Sequence, residues 1–237
     1  MIKRTVMISG ASRGIGFAIA QRLLNDGHNI SLGVRDPDRL RQDHPDLVDA
    51  GQDRVLVHPY DACDPASASE WVAATTHWRD GFTALIHCAG ILRRTGLLFS
   101  EGEETDLDDL WRVNVMGPWW LTRAAWPSLS ASGEGRIQVL VSMSGKRSKG
   151  RMAGYPVSKF ALMALCQTMR NEGWEAGIRV TAFCPSWVNT EMATSISRVA
   201  PEAMTQPQDI ATLSSTLLQL PNAAVPFELM INCSLET

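Results

Sequence analysis

What this 237-residue sequence lacks narrows its reading before any motif does. No stretch approaches the ~18 uncharged apolar residues that a bilayer-crossing helix requires, so no membrane span is expected. No basic excess exists: 22 Lys and Arg stand against 25 Asp and Glu, a net charge of −3. A nucleic-acid or membrane-surface partner would favour clustered cations, and none is expected. The five cysteines, Cys63, Cys88, Cys166, Cys184 and Cys233, are odd in number and form no CxxC pair. That argues against a disulfide framework or zinc site, and for small buried thiols in a reducing, cytoplasmic setting. His28, His44, His58, His77 and His87 stand at no ligand spacing, so no metal is expected. No linker, repeat or low-complexity segment divides the chain. The opening MIKRTVMISGASRGIG has no long apolar core and no cleavage pattern, so it reads as a first strand rather than a signal peptide. Tyrosine is scarce, with only Tyr60 and Tyr155.

What is there fits one compact α/β domain over residues 1–237, with 45% hydrophobic and 20% charged residues. Short apolar runs predict strands at Thr5–Ser9, Asn29–Val34, Val55–His58, Ala84–Cys88, Arg136–Val141, Arg179–Phe183 and Glu228–Ile231. Helical patterns fall between them, at Gly14–Asp26, Pro65–Arg79, Leu107–Ser130, Gly154–Ala176 and Pro207–Gln219. Strands that are apolar throughout, alternating with helices, predict a parallel sheet covered on both faces. The irregular stretches 96–109 and 194–206 follow strand ends, where open α/β sheets bind ligands.

Ser9-Gly10-Ala11-Ser12-Arg13-Gly14-Ile15-Gly16 follows the first strand and opens a helix, the context of a dinucleotide site. Its spacing is GxxxGxG rather than GxGxxG. Glycine allows a tight turn and close approach of backbone to a pyrophosphate. The helix N-terminus offers unpaired N–H groups and partial positive charge. Arg35, just after the second strand, stands where an NAD enzyme usually places an acid. A guanidinium there suits a 2′-phosphate, Arg13 could add a second cation, and NADP(H) is favoured. Asp36 leaves NAD(H) open, since it could pair with Arg35 or contact a ribose.

Tyr155-Pro156-Val157-Ser158-Lys159 is a YxxxK segment at the start of a helical pattern, which places Tyr155 and Lys159 on one face. A nearby ammonium stabilises a phenolate, so Lys159 is expected to lower the Tyr155 pKa. Pro156 suits a first turn but pushes the residue before it towards the cap. Ser142 ends a predicted strand thirteen residues earlier, and its hydroxyl can donate to a substrate oxygen as charge grows there. Ser144 is a rival that the spacing disfavours.

These residues together resemble the main branch of the short-chain dehydrogenase/reductase family, over essentially the whole chain. The resemblance rests on the order of SGASRGIG at 9–16, HCAG at 87–90, Asn114, Ser142, Tyr155 with Lys159, and Pro185-Ser-Trp-Val-Asn-Thr190. It implies a doubly wound, Rossmann-type sheet of about seven strands in the order 3-2-1-4-5-6-7, with the cofactor across its C-terminal edge. It implies Gly10, Ser12, Arg13, Gly14, Ile15 and Gly16 around the phosphates, Asp61 and Ala62 near the adenine, and Ala89 and Gly90 beside the ribose. Pro185, Val188 and Thr190 would line the nicotinamide. Asn114 would join a water-linked proton relay with Tyr155 and Lys159. It implies a homodimer or homotetramer packed through the helices around 107–130 and 154–176. The usual Asn-Asn-Ala-Gly reads His87-Cys88-Ala89-Gly90, so the side chains that brace the central strand are lost. Thr-Gly is replaced by Ser9-Gly10, and Pro-Gly by Pro185-Ser186.

The expected activity is hydride transfer between NADP(H) and a carbonyl or alcohol. A cofactor-binding sensor or scaffold, and an epimerase or dehydratase on the same fold, are the alternatives. The latter tend to carry longer C-terminal substrate regions. Trp187 could wall a substrate pocket or pack beneath its loop. Of Trp119 and Trp120, one should face the core and one a neighbour. Arg93 and Arg94 could guide an anionic substrate. Lys146, Arg147, Lys149 and Arg151 form a basic cluster that is either solvated or attractive to acidic ligands.

Overall fold

A computed structural model describes residues 2–49, 52–150 and 152–234. Seven parallel strands form one sheet in the order β3-β2-β1-β4-β5-β6-β7. They are β1 (Thr5–Ser9), β2 (Asn29–Val34), β3 (Val55–Pro59), β4 (Ala84–His87), β5 (Arg136–Leu140), β6 (Arg179–Pro185) and β7 (Glu228–Ile231). The expected strand order and strand positions are both realised, with ends displaced by one or two residues.

Period-two alternation divides the central strands β1, β4, β5 and β6 between two cores. In β1, Met7 enters one core and Val6 and Ile8 enter the other. The first core receives α4 (Pro65–Arg79), α6 (Gly117–Ala131) and α7 (Gly154–Gly173); the second receives α1 (Gly14–Asn25) and α9 (Pro207–Gln219). Each fully buried Leu, Ile or Val contributes about 1.5–3 kcal/mol. This burial on both faces is why the central strands are mostly apolar. Trp71 is fully buried and donates its indole N–H to Ser31 Oγ at 2.8 Å.

Helix starts follow their capping chemistry. Asp64 accepts from Ala66 N at 2.9 Å ahead of Pro65. Gln206 N donates to Asp209 Oδ2 at 2.8 Å ahead of Pro207. Two short helices went unpredicted, α2 (Pro37–Asp43) and α3 (Pro45–Asp49). Each buries one leucine, Leu40 or Leu47, too little for a periodic signal. The helix expected over 107–130 starts earlier, as α5 (Glu104–Trp111), and passes through a π-helical segment, Arg112–Met116, before α6. A further short helix, α8, spans Glu191–Thr194.

β1 lies between β2 and β4, so the chain reverses its direction of winding there. Crevices at such switch points, at strand C-terminal ends, are where doubly wound sheets take ligands. Among the described residues, no helix is long and apolar enough to cross a membrane, and no group of three or more His, Cys, Asp or Glu could hold a metal.

Candidate active site

A cleft of about 750 Å³ opens at this switch point. It gathers the glycine turn at Gly10, Ser12, Arg13, Gly14, Ile15 and Gly16, and Arg35 at the end of β2. Asp61 and Ala62 after β3, Ala89 and Gly90 after β4, and Ser142 after β5 line it too. So do Tyr155 and Lys159 of α7, Pro185 at the end of β6, and Val188 and Thr190 after it. Asn114 lies just behind the wall and is fully buried.

The glycine turn has the shape a diphosphate requires. Gly10 has φ +68°, and a Cβ there would stand 2.6 Å from Ala89 N, so only hydrogen fits. Helix α1 begins beyond Arg13 with no side chain on its first N–H groups and no acid in its first turn. Those donors and the helix dipole therefore face the cleft uncompensated, which suits an anionic dinucleotide. Arg13 is not simply available to a phosphate, because it forms an ion pair with Glu191 of α8. Asp36 is occupied as the cap of α2, accepting from Arg39 N at 2.9 Å. Arg35 is exposed beside it and lines the cleft.

The floor holds the phenol, the ammonium and the hydroxyl. Ser142 has φ +129°, a conformation that side chains rarely adopt. Its hydroxyl lies near enough to the Tyr155 phenol to favour the phenolate and accepts from Ser144 N at 3.1 Å. Ser144 also lines the cleft, but the hydroxyl that bears on the Tyr155 phenol is that of Ser142. Tyr155 is the second residue of α7, with Ala153 at the cap, so the expectation that Pro156 would displace Tyr155 to the cap is corrected. A first-turn proline removes no intrahelical hydrogen bond, so the helix can begin ahead of it.

Lys159 Nζ stands 5.6 Å from the Tyr155 ring centre and donates to Leu140 O at 2.9 Å. Burial pushes the ammonium down to about 8. Burial also pushes the Tyr155 phenol up to about 12, against a smaller lowering from the Ser142 hydroxyl. Lys159 therefore does not bring the phenol down in this cleft; exclusion of water outweighs it and keeps Tyr155 protonated.

Asn114 clamps the loop after β4. Its Oδ1 accepts from Ile91 N at 2.9 Å, and its Nδ2 donates to Ile91 O at 3.0 Å and Ser158 Oγ at 3.1 Å. It sits in the π-helical segment, whose extra residue per turn is often found at functional sites. A Cβ on Gly90 would stand 3.4 Å from Asn114 Oδ1 and 3.7 Å from Lys159 Nζ, so these groups meet beneath Gly90.

The sequence did not reveal what replaces the missing asparagines. Ser9 Oγ accepts from Cys88 N and Ala89 N, both at 3.3 Å, and His87 Nε2 meets Thr122 Oγ1 at 2.9 Å. Burial pushes the His87 imidazole down to about 3, so it braces α6 as a neutral ring. The hydroxyl kept at Ser9 was the only available signal. Thr95 was also missed: its carbonyl accepts from Ala153 N at 2.8 Å and ties the loop after β4 to the start of α7.

Other candidates separate clearly. Trp187 lines the cleft. Trp120 packs on the core and Trp119 is half exposed. Arg93 is held by Asp106 at 3.1 Å and Asp109 at 3.2 Å, which removes it as a guide for anions. Lys146 turns to Glu228 at 3.0 Å, Arg147 and Lys149 line the cleft, and Arg151 lies outside the described residues.

The sheet order and the glycine turn at its switch point define a Rossmann-type α/β protein. The family model for short chain dehydrogenase matches residues 4–200, and the chain belongs to that family. Agropine synthesis reductase of Rhizobium rhizogenes is 34% identical over 92% of this chain, which spans only 50% of that protein. Oxidoreductase UcpA of Escherichia coli O157:H7 is 30% identical, over 95% of this chain and 84% of its own length. An alcohol dehydrogenase from the archaeon Thermococcus sibiricus, complexed with 5-hydroxy-NADP, superposes with a TM-score of 0.84 and 29% identity. That match covers 97% of this chain and 96% of the dehydrogenase chain.

Proposed function

We propose that this protein is an oxidoreductase acting between NADP(H) and a carbonyl or alcohol, with Tyr155 as its acid and base. The observation that carries the reading is the gathering of Ser142, the buried Tyr155 phenol and Lys159 in one cleft, with Lys159 Nζ 5.6 Å from the ring centre.

The glycine turn and the start of α1 would hold the diphosphate. Arg35 would hold a 2′-phosphate, joined by Arg13 once it leaves Glu191. Asp61 and Ala62 would flank the adenine, Ala89 and Gly90 the ribose, and Pro185, Val188 and Thr190 the nicotinamide. The engagement of Asp36 as a helix cap leaves the end of β2 to a cation, which supports NADP(H) over NAD(H). The Thermococcus dehydrogenase, with its NADP derivative, points the same way.

When bound, the nicotinamide supplies or takes the hydride. The remaining work falls to the chain. In reduction, Tyr155 donates its proton to the substrate oxygen as charge develops there. Ser142 donates a hydrogen bond to the same oxygen. Lys159 holds positive charge beside the phenolate that Tyr155 leaves behind. Asn114 orders the floor through Ile91 and Ser158, from which water can return a proton to Tyr155. In oxidation the proton moves the other way. Two copies would pack through the faces of α5, α6 and α7, where Trp119, Val157 and Phe160 stand 50%, 62% and 45% exposed.

Tyr155→Phe tests the reading. We expect NADPH consumption with a panel of ketones and aldehydes to fall by at least 10³-fold, while NADPH binding, followed by fluorescence, stays within about threefold. Undiminished turnover in this variant would remove Tyr155 as proton donor. Tight NADPH binding by the wild type without turnover of any carbonyl would shift the reading to a cofactor-binding sensor.

A further inference from the structure

Of the two arginines that the reading above gives to the cofactor's 2′-phosphate, one already holds an anion. Arg13 forms an ion pair with Glu191, and both residues line the cleft. The acid beside Arg35 is engaged elsewhere, since Asp36 accepts from Arg39 N at 2.9 Å. A carboxylate is therefore set against Arg13, whereas the one next to Arg35 caps a helix.

Glu191 is brought to Arg13 by a segment with several fixed points. Its base is cinched where Val188 pairs with Thr205, where Asn189 N donates to Thr205 O at 2.9 Å, and where Asn189 Nδ2 donates to Gln206 Oε1 at 2.9 Å. Thr190 caps α8, accepting from Ala193 N at 3.4 Å. Thr190 also lies on the glycine turn: a Cβ on Gly14 would stand 3.3 Å from Thr190 Cγ2. The residue after Thr190 thus meets the residue before Gly14, and those two are Glu191 and Arg13.

We propose that Glu191 is a specificity-determining residue that acts through Arg13. Its carboxylate occupies the guanidinium that a 2′-phosphate requires, so it weakens NADPH binding and leaves NADH nearly untouched. This rests on the oxidoreductase reading above. A carboxylate that leaves Arg13 forfeits its pair. One that stays repels a phosphate carrying about −1.5 to −2 charges, so binding weakens either way. The two side chains are 73% and 76% exposed, so water and salt screen the pair. Exposed pairs of this kind change an equilibrium by about 1.4- to 5-fold, which sets the size of the effect.

Fluorescence titrations of the full chain with NADPH and with NADH test it. We expect Glu191→Gln to tighten NADPH binding by about two- to fivefold at low salt, and to change NADH binding by less than about 1.5-fold. Stopped-flow release of NADPH should slow by a similar factor, since changes at a binding site act mostly on dissociation. In an Arg13→Gln background most of the gain should vanish, because the two side chains act as one unit. Glu191→Ala carries the same measurements should Glu191→Gln fail to fold. Unchanged or weaker NADPH binding, equal tightening of both cofactors, or a gain undiminished without Arg13 overturns the proposal. So does a wild type that binds no NADPH. NADPH consumption with carbonyls separates the two readings. Tighter NADPH binding in Glu191→Gln, with no turnover in any form, removes the oxidoreductase and leaves the role of Glu191. Turnover with unchanged NADPH binding in that variant removes the role of Glu191 and leaves the oxidoreductase.

Discussion

Replacing Asn114 by leucine should loosen the floor of the cleft in a way that can be sized from its hydrogen bonds. The side chain is fully buried and makes three, at 2.9, 3.0 and 3.1 Å, to Ile91 N, Ile91 O and Ser158 Oγ. Leucine nearly conserves volume, so the loss is polar rather than a cavity. Leaving a buried donor or acceptor unpaired costs about 1–3 kcal/mol. Ile91 is partly accessible and can recruit water, and Ser158 Oγ keeps its bond to Tyr155 O at 2.7 Å. Each loss therefore lies near the lower bound, and the sum is about 2–3 kcal/mol. With a urea m-value of about 3 kcal/mol/M for a chain this long, the unfolding midpoint should fall by about 0.7–1 M. Because Ile91 follows Gly90 in the cleft wall, kcat should fall as well. A midpoint shift below about 0.2 M, with kcat unchanged, would refute the claim that this side chain holds the floor together.

Three further outcomes follow from the same geometry. Arg35→Ala should raise the NADPH KM by about 10- to 100-fold and the NADH KM by less than about threefold, which steady-state kinetics with both cofactors would check. Gly10→Ala must accommodate a Cβ 2.6 Å from Ala89 N at φ +68°, so NADPH binding by fluorescence should be lost and thermal melting should drop by several degrees. Lys159 titrates near 8 in the fold instead of 10.5, because burial disfavours its charge. Between those values the unfolded chain holds this proton and the folded chain does not, so the Lys159 contribution to stability rises with pH; below about 8 the buried ammonium costs about 3 kcal/mol. Lys159→Met should therefore flatten the urea midpoint between pH 7 and 9. An undiminished rise in that variant would exclude Lys159 as its source. Above pH 9 the thiols of Cys88, Cys166 and Cys184, raised from 9.0 by burial, oppose the rise, and Tyr155 joins them only as pH climbs from 10.0 through about 12.

The seven strands were legible because they read as short, mostly apolar runs; the central ones are buried on both faces, whereas the edge strands β3 and β7 are only partly buried. Helices α2 and α3 were not, since Leu40 and Leu47 are single apolar anchors in polar stretches. Within the site, local spacing located Tyr155, Lys159 and Ser142 and the glycine turn. What spacing could not reach was pairing across the fold. Arg13 meets Glu191 from 178 residues away, and Ser9 takes the amides of Cys88 and Ala89 from 79 and 80. Arg93 and Asp36 belong to a second kind of miss. Their partners are near in sequence, but many such partners exist, and only the fold selects Asp106 and Asp109 for one and the Arg39 amide of α2 for the other.

The protonation of the floor follows from burial more than from any pair of residues. In water a lysine is slightly more basic than a tyrosine, near 10.5 against 10.0. Here exclusion of solvent separates them in opposite directions, to about 8 and about 12, because each is driven towards its neutral form. A neutral phenol beside an ammonium that yields its proton near 8 is a poor ion pair, but on the proposed reading it would be a well-placed acid. The phenol would keep its proton until a substrate oxygen develops charge. The ammonium would then have an anion to face, and its own proton would be held more tightly from that moment. The charge on Lys159 would therefore strengthen its interaction in the transition state more than in the resting site, which is the condition for an interaction to accelerate a reaction rather than only to stabilise a fold.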